Sequence, residues 1–315
     1  MFLSAAKISE APYIPVYIPY GYFGGGSTGA QSSRVDRVDY ASDTSTASAK
    51  GPLSSARYYI AASATSSYGY FGGGVISPAT VYSTIDRIDY SNDTATAAAK
   101  GPLSVARYRP AGTGTSSYGY FGGGQAPASK STIDRIDYSN DTATAVAKGP
   151  LSAARYESGA TGTSSYGYFG GGYLAGQKSI VDRVDYSNDT ATTVTKGPLS
   201  AARYYLSATG NSSFGYFGGG DLSGTPFVSR VDRIDYSNDT ATAAAKGNLS
   251  LARRILMASG NSAYGYFAGG YGLTAPGSRS TIDRVDYSND TATAAAKGPL
   301  SLARFGAGGT NHNPV

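Results

Sequence analysis

Along residues 131–138 the chain reads Ser-Thr-Ile-Asp-Arg-Ile-Asp-Tyr, so in an extended backbone Thr132, Asp134 and Ile136 share one face and Ile133, Arg135 and Asp137 the other. The polarity alternation is imperfect, yet its two-residue period predicts a β-strand. Upstream, residues 108–115 read as a strand, and Ser116-Ser117 leads into another, Tyr118-Gly119-Tyr120-Phe121, which ends in Gly122-Gly123-Gly124. Downstream, Ser139-Asn140-Asp141 is turn chemistry, because short polar side chains bond their own backbone and tolerate tight dihedrals. Residues 142–147 are predicted to run back as a fourth strand until Lys148-Gly149-Pro150 breaks it. Thr at alternate positions between turn signals outweighs the helical preference of alanine there.

The pattern is written six times. The first glycine of the Gly-Gly-Gly run falls at Gly24, Gly72, Gly122, Gly170 and Gly218, and Ala268 holds the sixth place, a period of 48 to 50 residues. Units of this length cannot bury an apolar face alone and need neighbours. Four antiparallel strands per unit, six times over, predict an all-β, six-bladed β-propeller of four-stranded blades, in which radial repetition leaves only short, protected edges. A long open β-array is the alternative; the coils of a right-handed β-helix are much shorter. The repeats run unbroken around one axis, so one domain is expected despite the length of 315 residues.

A strand ending in Gly-Gly, a variable loop, Ile-Asp-Arg-Ile-Asp, a polar turn and then Pro-Leu-Ser-x-Ala-Arg resembles the kelch repeat, and the likeness covers almost the whole chain. The tryptophan that kelch units carry after the polar turn is absent: Ala95, Ala143 and Ala191 stand near that place, and the chain has no Trp. Tyr and Phe of the Tyr-Gly-Tyr-Phe strand are the expected replacement bulk. The fuller wording, Asp-Tyr-Ser-Asn-Asp-Thr-Ala-Thr with Gly-Pro-Leu-Ser-x-Ala-Arg and Tyr-Gly-Tyr-Phe-Gly-Gly-Gly, also resembles repeat proteins of marine tailed phages, especially those of cyanobacteria. That resemblance implies a virion setting: a tail, fibre or capsid-surface protein, made in the host cytoplasm and released by assembly and lysis.

With 40% hydrophobic residues, 43 Gly and 28 Tyr, the chain is too apolar to be disordered. It has no cysteine, so disulfide and thiolate chemistry are excluded. Residues 1–20 hold a single Lys and several prolines without an apolar run of signal-peptide length, and no stretch approaches 18 apolar residues, so neither a signal peptide nor membrane insertion is expected. The net charge of +5 arises from scattered residues such as Lys130, Lys178, Arg254 and Arg279; without a clustered basic stripe, no nucleic-acid partner is expected.

Asp134, Asp137, Asn140 and Asp141 offer hard oxygen ligands for calcium, but the glycine and terminal Glu of a helix-loop-helix calcium loop are missing and an Arg stands between two of the acids. Salt bridges and an Asx-type turn are the favoured reading, with metal the alternative. Arg107 and its equivalents Arg57, Arg155, Arg203, Arg253 and Arg304 are expected to bridge neighbouring blades to these carboxylates. The Gly-Gly-Gly runs lack the Lys-Ser or Lys-Thr and following helix of a phosphate loop, and read as strand ends that turn against another backbone. The Asn-Asp-Thr copies fit a glycosylation acceptor pattern, yet lie in a turn that already accounts for Asn.

Enzyme chemistry is poorly supplied. The one histidine, His312, lies in the C-terminal tail, and a copper-radical oxidase would need Cys and His in the body. A glycosidase pair should break the repeat; the acids that do so, Glu10, Glu157 and Asp221, read as few and scattered. No enzyme, no cofactor and no metal are therefore expected.

Compared with one another, the units keep their strands and three of four connections nearly fixed. The segment after each Gly-rich strand varies: residues 27–33, 75–83, 125–131, 173–179, 221–229 and 271–280. In an up-and-down blade this connection shares a face with the link between blades, so one propeller face is variable. The binding site is placed there, with Tyr82, Gln125, Tyr173, Leu174, Gln177, Phe227, Tyr271 and Leu273 as contacts. The expected partners are other virion proteins or a host surface glycan, and the alternative is a soluble multivalent carbohydrate-binding lectin. The expected organisation is residues 1–20 as an arm or partial first strand and 21–315 as the propeller, its ring closed by residues 304–310, because Pro12, Pro15 and Pro19 weaken an N-terminal closing strand.

Overall fold

A computed structural model describes residues 19–76, 80–224 and 227–310. Six four-stranded antiparallel sheets stand around one axis, so the molecule is a six-bladed β-propeller. From inside to outside, blade 3 is Ala111–Gly114, Tyr118–Gly122, Ile133–Asp137 and Val146–Lys148. Blade 1 takes its inner strand from the other end of the chain: Gly308–Gly309 pairs antiparallel with Tyr20–Gly24. Residues 1–18, most of the expected arm, lie outside the described residues, as do 311–315.

The second and third strands of each blade pair over their full length, Tyr118 with Asp137 through Gly122 with Ile133. Two departures from the expected strands have local causes. The fourth strand begins at Val146, not at Thr142, because the Asp137 carboxylate accepts the Ser139 amide at 2.9 Å and winds Tyr138–Asn140 into a 3-10 turn that carries the chain further before it reverses. The inner strand begins at Ala111, not at Tyr108, for a reason that lies at the axial mouth.

Between blades the absent tryptophan is replaced by a tyrosine pair. Tyr120 of one blade stacks on Tyr186 of the next at 4.6 Å and donates its hydroxyl to Asp189 at 2.9 Å. The same carboxylate takes Arg135 at 2.8 Å and Lys148 at 3.2 Å, all from the neighbouring blade. The closing interface repeats the arrangement, with Tyr266, Arg284 and Lys297 converging on Asp43. Phenylalanine fills the remaining space: a Cβ on Gly122 would lie 2.7 Å from the ring of Phe169 in the next blade. The following Gly123 has φ +68°, and its Cβ would meet the Arg155 carbonyl at 2.5 Å, so the strand end passes too close to a neighbouring backbone for any side chain.

Arg107 and its equivalents link neighbouring blades as expected, by backbone to one and side chain to the next: Gly124 donates to the Arg155 carbonyl at 2.9 Å from the preceding blade. Each lies on the linker and binds the carboxylate of the blade that the linker enters; Arg155 meets Asp182 at 2.7 Å and the Phe169 carbonyl at 3.0 Å, with both ionic side chains wholly buried. A second set of bridging arginines, not expected, is the third-strand set represented by Arg135, which binds Asp189 of the next blade through its side chain. The acids of the repeated turn are thus engaged by Arg, Lys, Tyr and backbone donors, and among the described residues no group of three or more His, Cys, Asp or Glu could hold a metal ion. No helix of the described residues is long and apolar enough to cross a membrane.

Candidate functional site

Each linker reaches the axis just before the inner strand, and there one residue per blade turns left-handed: Tyr59, Arg109, Glu157, Tyr205 and Ile255 have φ between 57° and 61°, and Gly306 has 69°. This is why the inner strands start late. The six residues form a closed cycle of backbone hydrogen bonds, each amide donating to the carbonyl of the preceding blade's residue: Arg109 to Tyr59 at 2.8 Å, and on around to Tyr59 to Gly306 at 2.6 Å. The cycle lies at one mouth of the axis. Five non-glycine side chains held left-handed carry backbone strain of a kind that clusters at functional sites, and the cycle is what sustains it.

Their side chains differ in every blade but one pair, although the arginine two residues before each is the same in all six units. Glu157 is 6% exposed and lines an axial cavity of about 100 Å³, with Ile60, Pro110, Leu206 and Leu256 among its walls. Arg109 approaches it with Nε 2.8 Å from Oε1, an ion pair that is not aligned as a hydrogen bond; the Tyr205 hydroxyl lies near enough to act on the carboxyl without an aligned hydrogen bond, and the Ser158 hydroxyl has no hydrogen-bond partner among the described residues. Burial pushes the Glu157 carboxyl up to about 8, against the lowering pull of Arg109, the Tyr205 hydroxyl and Arg254. Burial and the same carboxylate hold the Tyr205 hydroxyl far above its usual range, so Tyr205 remains a proton donor.

Around the mouth runs a collar of half-buried aromatic rings. Tyr271 meets Phe305 edge-on at 5.5 Å, Phe305 meets Tyr58 at 6.2 Å, Tyr58 meets Tyr59 at 4.4 Å, and Tyr59 lies parallel to Tyr205 at 6.5 Å. From there Tyr204, Tyr173 and Tyr156 continue at 4.5, 5.2 and 5.6 Å. Two guanidiniums are set among the rings, Arg109 at 4.3 Å over Tyr59 and Arg254 at 4.6 Å over Phe227. Arg254 also binds Asp221 at 2.8 Å.

No known protein-family model matches the chain, and no curated protein matches it.

The variable loops reach this collar by pairing with the linkers. Gln125 bridges Tyr108 and Ser129, Tyr173 bridges Tyr156 and Gln177, and Tyr271 bridges Arg254 and Ser278. Tyr173, Phe227 and Tyr271 therefore join the collar. Gln125 and Gln177 take part through backbone bridges, Tyr82 accepts the Arg107 amide at its carbonyl, and Leu174 is half-buried beside them. Leu273 stands apart at 67% exposure. Part of two loops, residues 77–79 and 225–226, is outside the described residues.

Two expectations need correction. The linker between blades is not a fixed connection: its last two residues, such as Tyr108-Arg109 and Tyr156-Glu157, supply the centre of the site. Glu157 and Asp221 are not scattered, since they influence each other across Arg254 at the same mouth; Glu10 lies outside the described residues. A unit-by-unit comparison at the position two beyond the conserved linker arginine would have shown it, reading Tyr59, Arg109, Glu157, Tyr205, Ile255, Gly306.

Proposed function

We propose that the chain is a non-enzymatic component of a phage particle, a tail, fibre or capsid-surface protein that docks through its variable face to other virion proteins or to a host surface glycan. One observation carries the docking role: the differences among otherwise near-identical units gather on one face, in half-exposed aromatic side chains held on a rigid ring. The described residues Pro19 and Thr310 lie towards the opposite face, beside the Ser66-Ser67 turn and the lower end of the inner strand. The particle setting is supported by the resemblance of the repeat wording to marine tailed-phage proteins.

Peptide mass spectrometry on purified virions of a marine cyanobacterial phage encoding this chain tests the reading. Stoichiometric recovery of loop peptides unique to one repeat is expected; presence in lysate but absence from particles overturns it. A soluble multivalent lectin is favoured by a different feature, the similar clefts between blades on the opposite face, such as the one lined by Ser117, Tyr118, Ser165, Tyr166 and Ser187. That reading requires weak sugar binding with stoichiometry near six.

A further inference from the structure

The axial mouth is the one place among the described residues where a ring of near-identical blades carries a buried acid with no aligned hydrogen bond. A buried oxygen or hydroxyl without a well-aligned hydrogen bond costs roughly 1–3 kcal/mol, so Glu157, held by the unaligned Arg109 and the nearby Tyr205 hydroxyl, and Ser158 point to a ligand that supplies donors. The charge of the mouth narrows the ligand. Arg109 stands beside Glu157, whose carboxyl burial keeps largely protonated near neutral pH, and Arg254 is set against Asp221, so a free cation meets two guanidiniums and a free anion meets the Asp221 carboxylate. A neutral ligand rich in hydroxyls avoids both repulsions.

The remaining surface suits the same chemistry. A pyranose ring presents adjacent hydroxyls at its edge and a flat C–H face, and the mouth offers a carboxylate edge beside the flat rings of Tyr59 and Tyr205. The cavity, about 100 Å³ and centred on the axis, has room for one end unit and not for a threaded chain. Because the side chains around the cycle differ, the site exists once per ring, unlike the repeated clefts of the other face.

We propose that the axial mouth binds one terminal neutral sugar unit of a glycan per protein chain, with Glu157 accepting its hydroxyl hydrogen bonds and Tyr59 and Tyr205 forming its stacking surface. This rests on reading the variable face as the binding face.

The test is saturation-transfer NMR with titration on the whole chain, using methyl α- and β-pyranosides of glucose, galactose and mannose and the N-acetylated hexosamines, beside glucuronic acid, choline and inorganic phosphate. Expected is binding of at least one neutral sugar with one site per chain, weakened tenfold or more in Glu157→Gln and unchanged in the opposite-face variant Ser165→Ala. Saturation transfer on the unmodified protein needs no variant to fold, and silence across all the neutral sugars overturns the proposal. So does preference for choline, glucuronic acid or phosphate, or a stoichiometry near six that survives Glu157→Gln. Recovery of the chain from virions is independent of these outcomes, so a silent sugar panel with a positive virion result removes the glycan and leaves the docking role.

Discussion

The blade interfaces and the axial mouth are built from the same kinds of side chain, tyrosine, arginine and acid, and differ in how completely these are satisfied. At an interface, Asp189 receives Tyr120, Arg135 and Lys148, and the tyrosine is stacked as well. At the mouth, Glu157 has one misaligned arginine and an oxygen with no aligned hydrogen-bond donor. The first arrangement recurs at every interface; the second occurs once. Acids that recur and receive several donors hold the ring together, whereas the one that breaks the repeat and lacks an aligned donor is available to something outside it.

The comparison is broken most severely at the linker arginine. Arg155 and Asp182 are both wholly buried, and the guanidinium also holds the Phe169 carbonyl. Arg155→Ala leaves a carboxylate buried without its counter-charge, which costs about 3–5 kcal/mol. Chemical denaturation should show a midpoint shift of that size, while Tyr173→Ala at the mouth should move it far less. Equal losses would mean that the mouth is as much scaffold as the linker.

The next effect comes from Glu157, whose folded carboxyl titrates near 8 against an ordinary value of 4.5. Between those values the folded protein holds a proton that the unfolded chain has released. Stability is therefore fullest below the ordinary value and falls as pH rises through the window, by at most about 1.4 kcal/mol per pH unit for one proton. Denaturation at pH 5 and pH 9 should show the fall, and Glu157→Gln should remove its share; an unchanged slope assigns the pH dependence to other groups.

How much of this could be read in the sequence follows the same division. The repeat period, the Gly-rich strand and the Asp-Tyr-Ser-Asn-Asp turn carry the propeller, because each is a local rule applied again and again. The start of the fourth strand was not legible, since Thr142 and Thr144 have strand propensity and only the carboxylate of Asp137 keeps them in the turn. The mouth was less legible still. A left-handed residue is usually announced by Gly or Asn, and here the positions hold Tyr, Arg, Glu, Tyr and Ile, kept in place by a hydrogen-bond cycle that joins residues far apart in the chain. What could have been seen was the variation itself, at a position that a uniform strand reading passed over.

A smaller test asks whether the interfaces are as uniform as they look. Gly122→Ala drives a methyl into the Phe169 ring and should cost about 1–3 kcal/mol by overpacking. The sixth interface already carries Ala268, fully buried in the cluster that contains Phe23, where the neighbouring inner strand is Gly308–Gly309. Ala268→Gly should therefore cost less than Gly122→Ala. The reverse order in thermal or denaturant midpoints would show that the closing blade does not have the looser packing.

The smallest expected effect is at Ile255, a β-branched residue at φ 57° within the mouth cycle. Glycine relieves a left-handed strain of roughly 1–2 kcal/mol, while the unfolded chain gains freedom and the half-buried side chain loses contacts, so Ile255→Gly should change stability by less than about 1 kcal/mol. The sign is the informative part. A gain would mean that the fold tolerates strain at the mouth for the sake of the side chain displayed there, as expected of a binding surface; a loss above 1 kcal/mol would mean that Ile255 is retained for packing, and would move that sector of the mouth from the binding side of the comparison to the scaffold side.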